Sequence, residues 1–89
     1  MSIITFQVAV TTTGTSQRLP SNDVKRAITI SAKSTNTAAI VLGNIAAVTS
    51  STGYILEKGQ SVTVELAGGN TAAFYIIGTA GDVLSVIGA

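Results

Sequence analysis

The chain has 89 residues, enough for one small domain, and charged side chains are only 10% of it, against roughly 25% in an average soluble protein. The hydrophobic share, 46%, is ordinary, so Thr, Ser, Gly and Asn stand where charges would normally be. A formal charge of +1 with scattered Arg18, Lys25, Arg26, Lys33 and Lys58 excludes a phosphate-neutralising nucleic-acid footprint, and the hydrophobicity excludes disorder.

The absence of Cys and His removes disulfides, thiolate metal sites and the commonest general base. The N-terminus lacks the basic and apolar regions of a signal peptide, and no apolar run approaches the ~20 residues that span a bilayer. A soluble protein made inside a cell is the expectation.

More than a third of the residues are Val, Ile or Thr, whose branched side chains suit a pleated surface. The first element in chain order is 5–10, with Phe6, Val8 and Val10 on one face. A polar stretch follows from Thr11 to Asp23, containing Gly14 and Pro20, and is the longest irregular segment. From Val24 to Lys33, Val24, Ile28, Ile30 and Ala32 share a face; Arg26 would point inward with them unless a bulge or strand start intervenes.

Ala38–Leu42, Ala72–Ile77 and Val83–Ile87 are apolar on both faces, short, and bounded by turn formers, which reads as strands. Ile45–Thr49 and Tyr54–Glu57 are shorter candidates, and 61–66 alternates strictly. Gly59 suits a left-handed position in a tight turn, and segments 67–70 and 78–82 look like two more such turns. About eight short strands without an amphipathic helix predict an all-β chain, a single antiparallel sandwich or barrel.

Little chemistry accompanies this scaffold. Asp23, Glu57, Glu65 and Asp82 read as solvated surface and turn residues, and nothing has metal-ligand spacing. Lys33 lies near Ser31 and Ser34, but neighbours along a strand do not form a catalytic pair by spacing alone. The Gly-rich turns lack the lysine and helix of a phosphate loop. No enzyme activity, cofactor or metal is expected. The two-faced strands are the informative excess: either loops of the same chain cover them, or they meet another chain. The depletion of charge favours the second.

Taken in order, Val24–Ala32, then Asn36-Thr37, then Gly53–Val62 with its Gly-x-x-Leu-x-x-Gly-x-Ser turn spacing, and finally Phe74–Val86 with Tyr75-Ile76-Ile77-Gly78, resemble small structural proteins of tailed bacteriophages. The similar proteins are capsid decoration, cement or head-fibre proteins, and the likeness covers about three quarters of the chain. It implies a jelly-roll-like β-sandwich that forms a homo-oligomer, with a trimer favoured, on the virion surface. There it would bind between neighbouring subunits of the major capsid protein, without catalysis, nucleic acid or membrane. Ile3, Ile4, Phe6, Ala39, Val41, Tyr54, Tyr75 and Ile77 are the candidate contact residues, and segment 1–23 is expected to reach a neighbour. The alternatives are a glycan- or receptor-binding module using Tyr54 and Tyr75, and a head–tail or neck joining protein.

Overall fold

A computed structural model describes residues 3–89, and it is all-β apart from one short 3₁₀ turn. The strands are β1 (Ile4–Ala9), β2 (Gln17–Arg18), β3 (Asp23–Val24), β4 (Ala27–Ala32), β5 (Ile40–Gly43), β6 (Tyr54–Leu56), β7 (Ser61–Glu65), β8 (Gly69–Asn70), β9 (Tyr75–Ile77) and β10 (Val83–Gly88). All pairings are antiparallel. The front sheet runs β1-β10-β4-β7 and the back sheet β2-β9-β5-β6, with a small β3-β8 ribbon between them in the winding.

The pairing has a simple logic. β5 pairs with β6, β4 with β7, β3 with β8, β2 with β9 and β1 with β10, as in one long hairpin. The hairpin is rolled so that β10 also meets β4, and β9 meets β5. That is the winding of a jelly roll, an open sandwich and not a barrel.

Period-two patterning places the core. In β4, Ile28, Ile30 and Ala32 are buried while the alternate residues are half-exposed. Val8, Leu84 and Val86 join them from the front sheet, and Ile40, Leu42, Leu56 and Ile76 face them from the back. Leu19 and Val24 close the same cluster, so both sheets share one core.

Arg26 does not point inward. Lys25 and Arg26 form a bend between β3 and β4, both exposed, and the strand restarts at Ala27. Gly59, Gly68 and Gly81 have φ of 81°, 75° and 92°, the left-handed conformation that their turns require.

Two predicted strands take another form. In 72–77 only Tyr75–Ile77 is extended; Thr71–Ala73 is the 3₁₀ turn. The Asn70 carboxamide accepts from Ala72 N at 2.8 Å, and the wholly buried Thr71 hydroxyl donates to Pro20 O. These bonds hold the turn against the irregular segment, which local propensity does not record. Ile45–Thr49 is likewise a turn, closed by Val48 N on Ile45 O at 3.2 Å. It folds back because Val48 packs onto Gly43.

Candidate interaction surfaces

The outer face of the front sheet follows from register and alternation. Across its strands one row reads Thr5, Ile87, Thr29, Thr63 and the next Gln7, Ser85, Ser31, Ser61. Ala27 and Glu65 pair beyond the first row, and Ala9 and Val83 beyond the second. Glu65 is the one ionisable residue of these paired positions. Ile87, 55% exposed, sits in the middle between hydroxyls. The Thr29 and Thr63 hydroxyls bond to each other at 2.9 Å, as cross-strand neighbours do. Hydroxyls can exchange water for a partner's polar groups at far lower desolvation cost than charges. The two central rows are polar and uncharged, with Glu65 at one end of the face and exposed Lys33, whose N–H donates to Val83 O at 3.1 Å, at the other.

The back sheet carries most of the contact residues expected from sequence. Ile55, Val41 and Ile77 form one outward row, and Gly43 and Tyr75 part of the next, where Arg18 pairs with Tyr75. Ala39 is half-buried just before β5. The chain itself covers much of this face. Val41 is only 8% exposed, and a Cβ placed on Gly53 would lie 2.3 Å from its Cγ1. Val48 closes the same patch: a Cβ on Gly43 would lie 2.3 Å from Val48 Cγ2.

The second apolar face of β5 is therefore covered by the chain's own 44–53 loop, and Val41 is not open to another chain. This corrects the expectation that β5 was apolar twice because a partner covers it. Glycine at 43 and 53 permits the close approach. Arg18 similarly shields Tyr75, its guanidinium 5.4 Å from the ring centroid and its Nε donating to Ala72 O at 2.8 Å. Ile55 remains nearly half-exposed at the edge.

Tyr54 stands apart. It pairs with Leu42, on the opposite face of the sheet from Tyr75, so the two tyrosines make no common platform for a sugar. With Leu42, Val62, Val64 and Phe74, Tyr54 lines an apolar cleft of about 300 Å³ where the two sheets part beside β6 and β7. The opposite side of the sandwich is closed by polar contacts: Gln17 Nε2 donates to Ala9 O at 2.9 Å, and Gln17 Oε1 accepts from Thr11 N at 3.1 Å.

The N-terminal candidates divide by parity. Ile3 is 70% exposed, whereas Ile4 and Phe6 pack against the core from the inner face of β1. Residues 1 and 2 of segment 1–23 lie outside the described residues. The rest of that segment is tied within the chain as well: Leu19 is buried, and Thr71 N donates to Asn22 O at 3.0 Å.

One carboxylate departs from its expected role. Asp82 is buried, not a solvated turn residue. Its Oδ1 accepts from Thr37 N at 2.9 Å, its Oδ2 from Ala38 N at 3.1 Å, and the Thr37 hydroxyl lies 3.1 Å from both oxygens. Beside it, buried Asn36 uses its carboxamide like a strand partner, donating to Val83 O at 3.0 Å and accepting from Val83 N at 2.8 Å. Together they pin loop 33–39 to the start of β10. The Thr37 N–H is the main reason the Asp82 carboxyl titrates below its ordinary value; burial opposes the shift, and the Ala38 N–H and Thr37 hydroxyl add to it.

A carboxylate whose pKa is lowered on folding contributes stability above its unfolded value and loses it as pH falls through the folded one. The protein is therefore expected to lose stability on acidification below about pH 4. Asp82→Asn is expected to lower the melting temperature at pH 7 and to flatten that acid limb. Thermal melts of both proteins between pH 2 and pH 7 check this; an equally steep acid limb in the variant would assign it to another group.

Asp23, Glu57 and Glu65 are exposed, and among the described residues no three His, Cys, Asp or Glu side chains gather where a metal could bind. Sequence reasoning missed Gln17, Asn36, Val48 and Thr71, polar or small residues in segments read as loops or strands. Asn36-Thr37 was noticed as a motif, but nothing local tells that its partners are 82 and 83. No family model, curated protein or solved structure matches the chain.

Proposed function

We propose that this chain is a non-catalytic structural protein of a tailed-phage virion that decorates and stabilises the capsid by binding between neighbouring major capsid subunits. The observation that supports assembly is the pair of uncharged central rows on the outer face of the front sheet, where Thr, Ser and Gln surround an exposed Ile87. The phage setting rests on the sequence resemblance. The work of such a protein is binding energy alone. Burying Ile87, Val83 and the threonine methyls would contribute at roughly 25 cal/mol per Å² of apolar area, reduced by the cost of association. The hydroxyls and the Gln7 amide would supply hydrogen bonds that fix the docking geometry.

The test is the number and position of copies in purified virions of the encoding phage. Many copies spread over the shell are expected, and a few copies at a single vertex would replace decoration by a connector or fibre role. Thr29→Glu, which puts a charge into the middle of the face, is expected to weaken capsid binding at least about tenfold, while loss of the Thr63 hydroxyl bond lowers stability by about 1 kcal/mol. Capsid binding unchanged by Thr29→Glu, or a specific glycan bound by the free protein, would remove this face from the function.

A further inference from the structure

We infer that the free edge of β1 pairs with the β1 edge of a second copy, antiparallel about a two-fold axis at Phe6. The partner is thus another copy of this chain, a claim beyond the capsid reading. β1 and β7 are the two edges of the front sheet. Natural edge strands are guarded by Lys, Pro, bulges or a covering segment. β1 has none of the first two: residues 3–17 contain neither an ionisable side chain nor proline. It also pairs with β10 in unbroken register from Ile4 to Ala9. By contrast, β7 carries Glu65 and follows Lys58.

The direction of each backbone group follows from bonds at the end of the strand. Val10 N donates to Asp82 O at 2.9 Å and Val10 O accepts from Gly81 N at 2.9 Å, so Val10 faces β10. Backbone groups alternate sides along a strand, so Ile4, Phe6 and Val8 also face β10, while Thr5, Gln7 and Ala9 face outward. The Gln17 amide confirms the parity, since it takes Ala9 O and Thr11 N from the outer side. It also plugs the edge there. Among the described residues, the N–H and C=O of Thr5 and Gln7, and the N–H of Ala9, have no partner on this side.

A two-fold axis at Phe6 makes Thr5 and Gln7 reciprocal partners, each exchanging N–H···O bonds with the other in the second copy. Moving the axis to Gln7 would leave one fully open pair, Gln7 with its equivalent, in place of two, because Thr5 would then meet Ala9, whose carbonyl Gln17 already occupies. Phe6, half-buried at the rim of the core, then faces its own equivalent across a non-hydrogen-bonded pair. Exposed Ile3 is brought opposite Ala9 of the second copy. No charge opposes a like charge along the seam. The pairing joins two four-stranded sheets into one, with the uncharged central rows of the outer faces continuous across both copies.

Sedimentation of the full chain across a concentration series tests the association, and two substitutions test the seam. A dimer is expected. Gln7→Pro removes an outward N–H and leaves the β10-facing bonds in place, as edge strands allow. It should raise the dimer dissociation constant about tenfold to a hundredfold, with the far-ultraviolet spectrum unchanged. Phe6→Cys, in a chain with no other cysteine, should oxidise to a covalent dimer, because such pairs place Cα atoms about 4.5 Å apart.

A monomer or trimer in place of the dimer, a dimer that Gln7→Pro does not weaken, or cross-linking through Gln7→Cys in preference to Phe6→Cys would each overturn the inference. So would binding of a foreign strand at this edge with no self-association. None of these results bears on the copy number in virions, so the failure of one claim leaves the other standing.

Discussion

Replacing Ile30 with alanine is expected to lower the unfolding free energy by about 2–5 kcal/mol. Ile30 has no solvent exposure and stands in the middle of β4, with Val86 of β10 on one side and Val62 of β7 on the other. Ile40, Leu42, Leu56 and Ile76 of the back sheet belong to the same buried cluster. Truncation removes methyl and methylene groups from water-free packing and leaves a cavity that paired strands cannot collapse to fill. A domain of this size has a total stability of only about 5–15 kcal/mol, so the loss is a large fraction of the whole. Urea unfolding followed by far-ultraviolet circular dichroism measures it. A midpoint shift equivalent to less than about 1 kcal/mol would mean that the sheets do not meet at Ile30.

Gly53→Ala is the second large effect, and it bears on the loop that covers the back sheet. A Cβ at position 53 would lie 2.3 Å from Val41 Cγ1 and 2.7 Å from both Leu42 O and Val48 Cγ2. The carbonyl belongs to β5, which is paired on both sides and cannot retreat. The loop must lift instead, and overpacking of this kind costs about 1–3 kcal/mol. Lifting also uncovers Val41 beside exposed Ile55, so increased binding of an apolar fluorescent dye is expected together with the lower urea midpoint. Gly14→Ala serves as a contrast. Its φ of 76° is strained for alanine, but nothing lies within 4 Å, so that variant is expected to lose stability without gaining dye binding. Equal dye binding by the two variants would deny the loop its covering role.

These two positions show how unequally the fold could be read from the chain. The inward face of β4 was legible down to individual residues, since alternation is a property of neighbours two apart. The Val24–Lys33 pattern even marked its own flaw at Arg26, and the structure resolves it by a bend that restarts the strand. The turns around Gly59, at 67–70 and at 78–82 were legible for a similar reason, since the left-handed conformation belongs to single residues; the structure adds that Gly68 and Gly81 are the ones that adopt it. By contrast, Val41 looked like surface awaiting a partner. Its cover, Val48, lay in a segment whose composition reads as a strand.

The candidate surfaces divide in the same way. Low charge pointed to burial against other chains, and the proposed assembly surface lies on the front sheet because the chain itself covers Val41 on the back one. The apolar excess of β5 is spent within the chain, under Val48 and the 44–53 loop, whereas the threonines and serines of β1, β4, β7 and β10 gather into uncharged rows on one face. Tyr54 and Tyr75, similar in sequence setting, end on opposite sides of one sheet.

By itself the sequence determined what is local: an all-β chain, which residues of β1 and β4 share a face, the alternation of β7, where the glycine turns fall, and the scarcity of charge. Tertiary structure decided which strand lies beside which, and with it everything that depends on distant partners. Thr29 and Thr63 share a face only because β4 pairs with β7. Asp82 is buried only because loop 33–39 brings two backbone N–H groups and a hydroxyl to it. The physical reason is one of range. Backbone geometry imposes a period of two on any strand, but burial depends on what the rolled chain lays across it.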